Sequence, residues 1–243
     1  SLKLRLPGLW DDFSVLGYGR LFPAHLNALV YGWGMQAGVG VILWLMARLT
    51  RTQLSNRAGI LVVGHIWNAG VTFAVLTVLI GYGNSLPLLD FPKWVWPFLS
   101  ISYLLIVVGI IPMFCKRRES LVYVSEMYLI GAALWFPWIF ITANIIIGKG
   151  TAPVMASGVG AWYITNLIYF WMAPVAIAVA YYIVPKIAGR PIYSHPLAQA
   201  SFWLLAFLAG WTGFSRFMGG PFPAWMPAVS GAATIFILLA VLT

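Results

Sequence analysis

Long apolar runs recur seven times along the chain, with short polar breaks between them. The expected segments are 24–47, 59–81, 94–114, 126–147, 161–184, 197–214 and 227–243, because a helix that crosses the hydrocarbon needs about 20 mainly apolar residues. Gly, Pro and charge mark the breaks, as in YGNSLPLLDFPK and VPKIAGRPIYSHP. Pro112, Pro137 and Pro174 fall inside segments and are expected to kink helices, since neighbouring helices can satisfy the freed carbonyls. The last segment gives the weakest signal: it runs to Thr243 without a polar flank, so either the final helix is short or the chain stops inside it. The pattern predicts an all-α polytopic membrane protein, with an interfacial segment over 1–23 and a helical bundle over 24–243.

The opening stretch SLKLRLPGLWDDFSVLGYGRLFP carries Asp11 and Asp12 and lacks the compact apolar core of a signal peptide. Its Trp10, Phe13 and Tyr18 suit a membrane interface, where rings are half-buried and backbone groups still find water. Loop charge gives the orientation. Arg48, Arg51 and Arg57 follow the first segment, Lys116, Arg117 and Arg118 the third, and Lys186 with Arg190 the fifth. These loops are expected to be cytoplasmic. The opposite face carries Lys93 and Lys149, with Lys3, Arg5, Arg20 and Arg216 towards the ends. The residues before His25 then face outward, which fits a helix upstream of this sequence or an unusual N-out insertion.

Composition narrows the classes. Of 243 residues, 62% are hydrophobic and 8% charged, against about 25% charged in an ordinary soluble domain. A soluble Rossmann-type enzyme, a disordered chain and a disulfide scaffold are excluded. The formal charge of +9 is loop charge spaced by apolar runs, so nucleic acid is not an expected partner. Cys115, the one cysteine, lies beside Lys116, Arg117 and Arg118 and reads as a small buried residue at a helix end. No internal repeat is visible.

Few polar residues within the segments carry chemistry. His25 sits just inside the outward end of the first helix, followed by Tyr31, Gly32, Trp33, Gly34 and Gly38. A neutral imidazole can bind haem iron axially, and small residues let a flat macrocycle approach the backbone. The same imidazole can equally bond another helix or a carbonyl. His65, with Asn68, reads as an interhelical hydrogen bond or a contact to a quinone headgroup, the structural role being the default. His195 reads as solvated or as helix-start packing. Thr165 and Asn166 can bond helices or line a small cavity, but are poor ligands for copper or iron. Arg216 can clamp a haem propionate or lipid phosphate, or snorkel to the interface. The 11 Tyr, 13 Trp and 15 Phe suit interface girdles, subunit packing or cofactor edges.

The stretches YGRLFPAHLNALVYGWG and YYIVPKIAGRPIYSHPLAQASFWLLAFLAGWTG carry a resemblance to the main subunit of haem-copper oxidases, in particular its C-type, cbb3-like branch. The likeness runs over about residues 17 to 235 and resembles helices two to eight of a twelve-helix subunit. It implies that His25 stands where the outward-side histidine binds low-spin haem b. The opposite axial ligand of the family comes from a later helix that this sequence does not reach, so haem b would be shared with a partner. Thr165, in WYITN, stands at the position of the first copper-binding histidine, Ser215 and Arg216, in TGFSR, at that of the histidine pair, and Ala209 at that of the redox-active tyrosine. Thr, Ser and Arg do not jointly offer a nitrogen field for copper, and Ala supplies neither electron nor proton; no copper is expected.

The resemblance thus implies a truncated, degenerate oxidase-like subunit, non-catalytic by itself, that scaffolds a respiratory or electron-transfer complex. Its partners would be other integral membrane subunits, a cytochrome c subunit and lipid, in the inner or plasma membrane of a prokaryote. The alternatives are a haem-free structural protein that holds quinone or lipid, a proton or solute carrier, and part of an active terminal oxidase.

Overall fold

The computed structural model describes residues 5–6, 13–54, 56–118, 121–148 and 150–242. The expectations for Lys3, Trp10, Asp11, Asp12 and Lys149 lie outside the described residues. Seven long helices account for the described chain: α1 (Tyr18–Thr50), α2 (Arg57–Ile80), α3 (Val95–Cys115), α4 (Val124–Ile146), α5 (Pro153–Ala188), α6 (His195–Leu208) and α7 (Trp225–Leu242). No strand occurs among these residues. The first five are long and apolar enough to cross a membrane, as is the span His195–Phe217 that opens with α6; the apolar part of the seventh, Trp225–Ala240, is shorter. The fold is that of an all-α polytopic membrane protein, with each predicted segment inside or overlapping one helix.

Local chemistry sets the ends. The Asn56 side chain accepts the Gly59 N–H at 2.8 Å to start α2, and Ser194 accepts the Leu197 N–H to start α6, as N-cap residues do. His195 is therefore a helix-start residue. Pro153 opens α5, where its missing N–H costs nothing. Two segments differ from the expected bounds. α1 begins at Tyr18 rather than 24, and α5 runs from Pro153 to Ala188 rather than 161 to 184. Each contains a π-helical stretch, Ala28–Gly34 and Ile168–Met172, and a proline in the regular helix beside it, Pro23 before the first stretch and Pro174 after the second. Pro174 follows the second stretch directly, where the wide turn absorbs its missing donor.

The core is aromatic. Phe136 of α4 meets Trp67 of α2, Tyr103 of α3, its own neighbour Phe140, and Trp171 of α5, with ring centroids 4.6–6.3 Å apart. The polar tips are satisfied: Trp171 Nε1 donates to Tyr103 Oη at 2.9 Å, and Trp67 Nε1 to the Tyr31 carbonyl at 2.9 Å. The Tyr31 carbonyl lies in the first π stretch, where backbone acceptors are freed from the regular ladder. Gly38 lets α1 lie against the Trp171 ring; a Cβ there would stand 2.7 Å from Trp171 Cζ2. Cys115, expected to be buried, is exposed. Met113, two residues earlier in the same turn, is buried, so Cys115 lies on the uncovered side of the end of α3.

Candidate functional site

His25 lies on an uncovered face of α1 and is exposed. Tyr18, Phe22, Leu29 and Trp33 follow the helical repeat around it and are 44%, 47%, 46% and 71% exposed. Tyr18 and Phe22 stack with centroids 5.5 Å apart. Spacings of three and four residues place these side chains on one face, so His25 stands in an apolar stripe that the described helices leave open. Its ring makes no hydrogen bond to another described residue. Arg216 is also exposed, in a 3-10 turn Phe214–Phe217. No contact among the described residues joins it to His25.

Two residues along from His25, the inner side of the same helix enters a buried polar cluster that sequence reasoning missed. Asn27 Nδ2 donates to Asp90 Oδ2 at 2.6 Å and to the Pro23 carbonyl at 2.8 Å. The same Asp90 oxygen accepts the Leu88 N–H at 3.0 Å. The Leu88 carbonyl accepts from Tyr31 Oη at 2.5 Å, and Tyr31 Oη lies 2.6 Å from Tyr163 Oη of α5. Leu88 has φ +61°, a left-handed conformation costly for a residue with a Cβ. Hydrogen bonds on both its N–H and its carbonyl hold it there. Asp90, 2% exposed, lies in the loop between α2 and α3. Burial pushes its carboxyl above the usual carboxylate range, against the opposing pull of the Asn27 and Leu88 hydrogen bonds. The available signal was a single carboxylate between Leu89 and Phe91, in a loop whose one other charged residue is Lys93.

The other candidates separate. His65 Nδ1 lies 2.7 Å from the Leu61 carbonyl and so bonds its own helix, not another. The interhelical bond is made by Asn68, whose Oδ1 accepts from Gln36 Nε2 of α1. Thr165 and Asn166, expected to bond helices or line a cavity, donate to the Ala161 and Trp162 carbonyls of their own helix, each at 2.9 Å. The turn before Thr165 does meet the segment with Ala209, Ser215 and Arg216. Trp162 Nε1 donates to the Gly210 carbonyl at 2.8 Å, and a Cβ on Gly213 would stand 2.6 Å from Trp162 Cα. Gly213 also has φ +102°, so glycine is required there twice over. Ser215 donates its N–H to Ser230 Oγ of α7 at 3.0 Å, and Ala209 is fully buried. Among the described residues no three His, Cys, Asp or Glu side chains group to hold a metal ion. Glu126, in the first turn of α4, is a second buried carboxylate that the segment pattern did not single out.

The described helices thus form a multi-pass bundle with an aromatic core and a histidine on the open face of the first helix. Residues 1–243 match the family described as cytochrome c and quinol oxidase polypeptide I, and the chain belongs to that family. It is 25% identical, over 97% of its length, to a bacteroid cytochrome c oxidase subunit 1 homolog of Bradyrhizobium diazoefficiens, covering 44% of that protein. It is 23% identical, over 98% of its length, to cytochrome c oxidase subunit 1 of Rhodobacter capsulatus, covering 47%. It is 24% identical, again over 98%, to the cbb3-type cytochrome c oxidase subunit CcoN1 of Stutzerimonas stutzeri, covering 52%. The chain spans about half the length of the curated relatives it matches. These relatives are bacterial, in keeping with a prokaryotic multi-pass membrane protein.

Proposed function

We propose that this chain is a non-catalytic member of the oxidase family, of its C-type branch, that scaffolds a respiratory or electron-transfer assembly and offers His25 as an axial ligand to a haem b shared with a partner. The carrying observation is the open face of α1: an exposed imidazole flanked by Phe22, Leu29 and Trp33, which the described helices leave uncovered. The residues fit a haem edge on this side, with an exposed nitrogen ligand and an apolar stripe for the macrocycle; in the same reading Arg216, which no contact among the described residues joins to His25, is the cation for a propionate. Bound haem would supply one-electron transfer; the chain's own part is to ligate, to exclude water, and to hold α1 through the Asn27–Asp90 bond. Copper does not fit. Thr165 is bonded to its own backbone, Ser215 offers a neutral hydroxyl, and Arg216 is cationic, so oxygen chemistry is assigned to other components.

In the same reading, the loops after α1, α3 and α5 are cytoplasmic and the His25 end faces outward, because the basic residues collect in those loops. Other integral membrane subunits and a cytochrome c subunit are the partners this assembly would supply. Reduced-minus-oxidised spectra of the purified assembly, with and without His25→Ala, test the haem part. Loss of a haem b signal is expected. Unchanged haem b content rejects the ligand role and leaves a haem-free scaffold whose stripe packs on another helix, quinone or lipid.

A further inference from the structure

The basic loops after α1 and α3 are stitched together. The Arg118 N–H donates to the Thr50 carbonyl at 3.1 Å, Thr52 Oγ1 donates to the Met113 carbonyl at 3.4 Å, and the Thr50 and Thr52 hydroxyls lie 2.6 Å apart. Arg51, at the turn, has φ +52°, a left-handed conformation that bends the chain back towards α3. The result is a recess of about 540 Å³ whose walls include Arg51, Lys116 and Arg118. A second recess of about 520 Å³ shares Thr52 and Gln53 with the first. It runs down the side of α1 past Ala47, Trp44 and Leu43 to Gly40, with Arg48 and Arg57 at its mouth. Among the described residues no carboxylate lines either recess.

We infer that the two recesses form one binding site for a single anionic phospholipid, its phosphate between Lys116 and Arg118 and an acyl chain along α1 as far as Gly40. Each half asks for a different part of the same molecule. A free phosphate matches the cationic chamber and leaves the apolar furrow unused; a zwitterionic lipid fills the furrow and brings no net charge to the chamber. Cationic pockets at the ends of membrane helices bind anionic headgroups because the cations sit at headgroup depth, while the walls below are apolar. The inference is independent of the haem reading.

The test is native mass spectrometry of the intact assembly, delipidated and titrated separately with dioleoylphosphatidylglycerol, dioleoylphosphatidylcholine and inorganic phosphate. One retained phosphatidylglycerol is expected. Each cation near an anionic headgroup is worth about fivefold in affinity, so K116A/R118A should weaken it about 30-fold. Gly40→Leu supplies an independent probe: a Cβ at Gly40 meets nothing within 4 Å, so the larger side chain fills the furrow without disturbing the bundle. It should weaken phosphatidylglycerol about tenfold and leave inorganic phosphate unaffected. Three results overturn the proposal: equal retention by wild type and both variants, phosphatidylcholine bound as tightly as phosphatidylglycerol, or inorganic phosphate bound as tightly as the lipid, which would mark a free-anion site.

Discussion

Replacing Asp90 by alanine removes one oxygen that two buried donors share, Asn27 Nδ2 at 2.6 Å and the Leu88 N–H at 3.0 Å. The Leu88 N–H is left without an acceptor, which costs about 2 kcal/mol, whereas Asn27 keeps the Pro23 carbonyl and loses about 1 kcal/mol. Releasing Leu88 from its left-handed conformation returns about 1 kcal/mol. Asp90→Ala should therefore lower stability by about 2 kcal/mol. Asp90→Asn keeps an oxygen for both donors and brings no charge, and should stay within about 1 kcal/mol of wild type. The two variants also separate the pH dependence. The folded carboxyl titrates above its unfolded value, so its contribution is fully present below the ordinary carboxylate range and is lost as pH rises through the raised value. The gap between wild type and Asp90→Asn should accordingly shift in favour of the variant as pH rises from the ordinary carboxylate range through the raised value. Unfolding free energies of the full-length protein in mixed micelles measure all three quantities. Equal stability of Asp90→Ala and Asp90→Asn, or a gap that shifts towards wild type as pH rises, refutes the reasoning.

Gly38→Ala drives a methyl into the Trp171 ring and should cost about 1–3 kcal/mol in the same unfolding assay. In a Trp171→Phe background the cost should shrink, and an unchanged cost would mean that α1 is not held off by that ring. Cys115 is exposed and is the one cysteine of the chain, so a maleimide should label the native protein without denaturant. In intact cells an impermeant reagent should leave it unlabelled and a permeant one should not; the reverse outcome overturns the proposed orientation.

Seven helices were legible in the sequence because apolar length alone separates them, and breaks such as Gly81 to Lys93 contain several turn-forming residues. The ends of α1 and α5 were not legible. The expected first segment opens at 24, yet the helix starts at Tyr18 and runs through Arg20 and Pro23, because a proline this near a helix start removes few hydrogen bonds. Position-specific likeness placed Thr165, Ser215 and Arg216, and the Trp162 contact with Gly210 brings their two segments side by side. The Asn27–Asp90–Leu88–Tyr31–Tyr163 cluster left no trace in periodicity. Its partners lie up to 132 positions apart, and period reports which face of a helix is apolar, not which helix it will meet.

Each π stretch amounts to about one residue more than a regular helix would use. One residue in an α-helix is about 100° of rotation, so deleting a residue from a regular part of α1 would turn one end by that angle against the other, whereas deleting one within Ala28–Gly34 would remove the wide turn and leave both ends in their angular setting. The two ends of α1 are thereby keyed separately: the His25 end to the Asp90 loop, the Arg48 end to the loop after α3. The stretch between them is the place where a one-residue difference in length can be absorbed without turning either end.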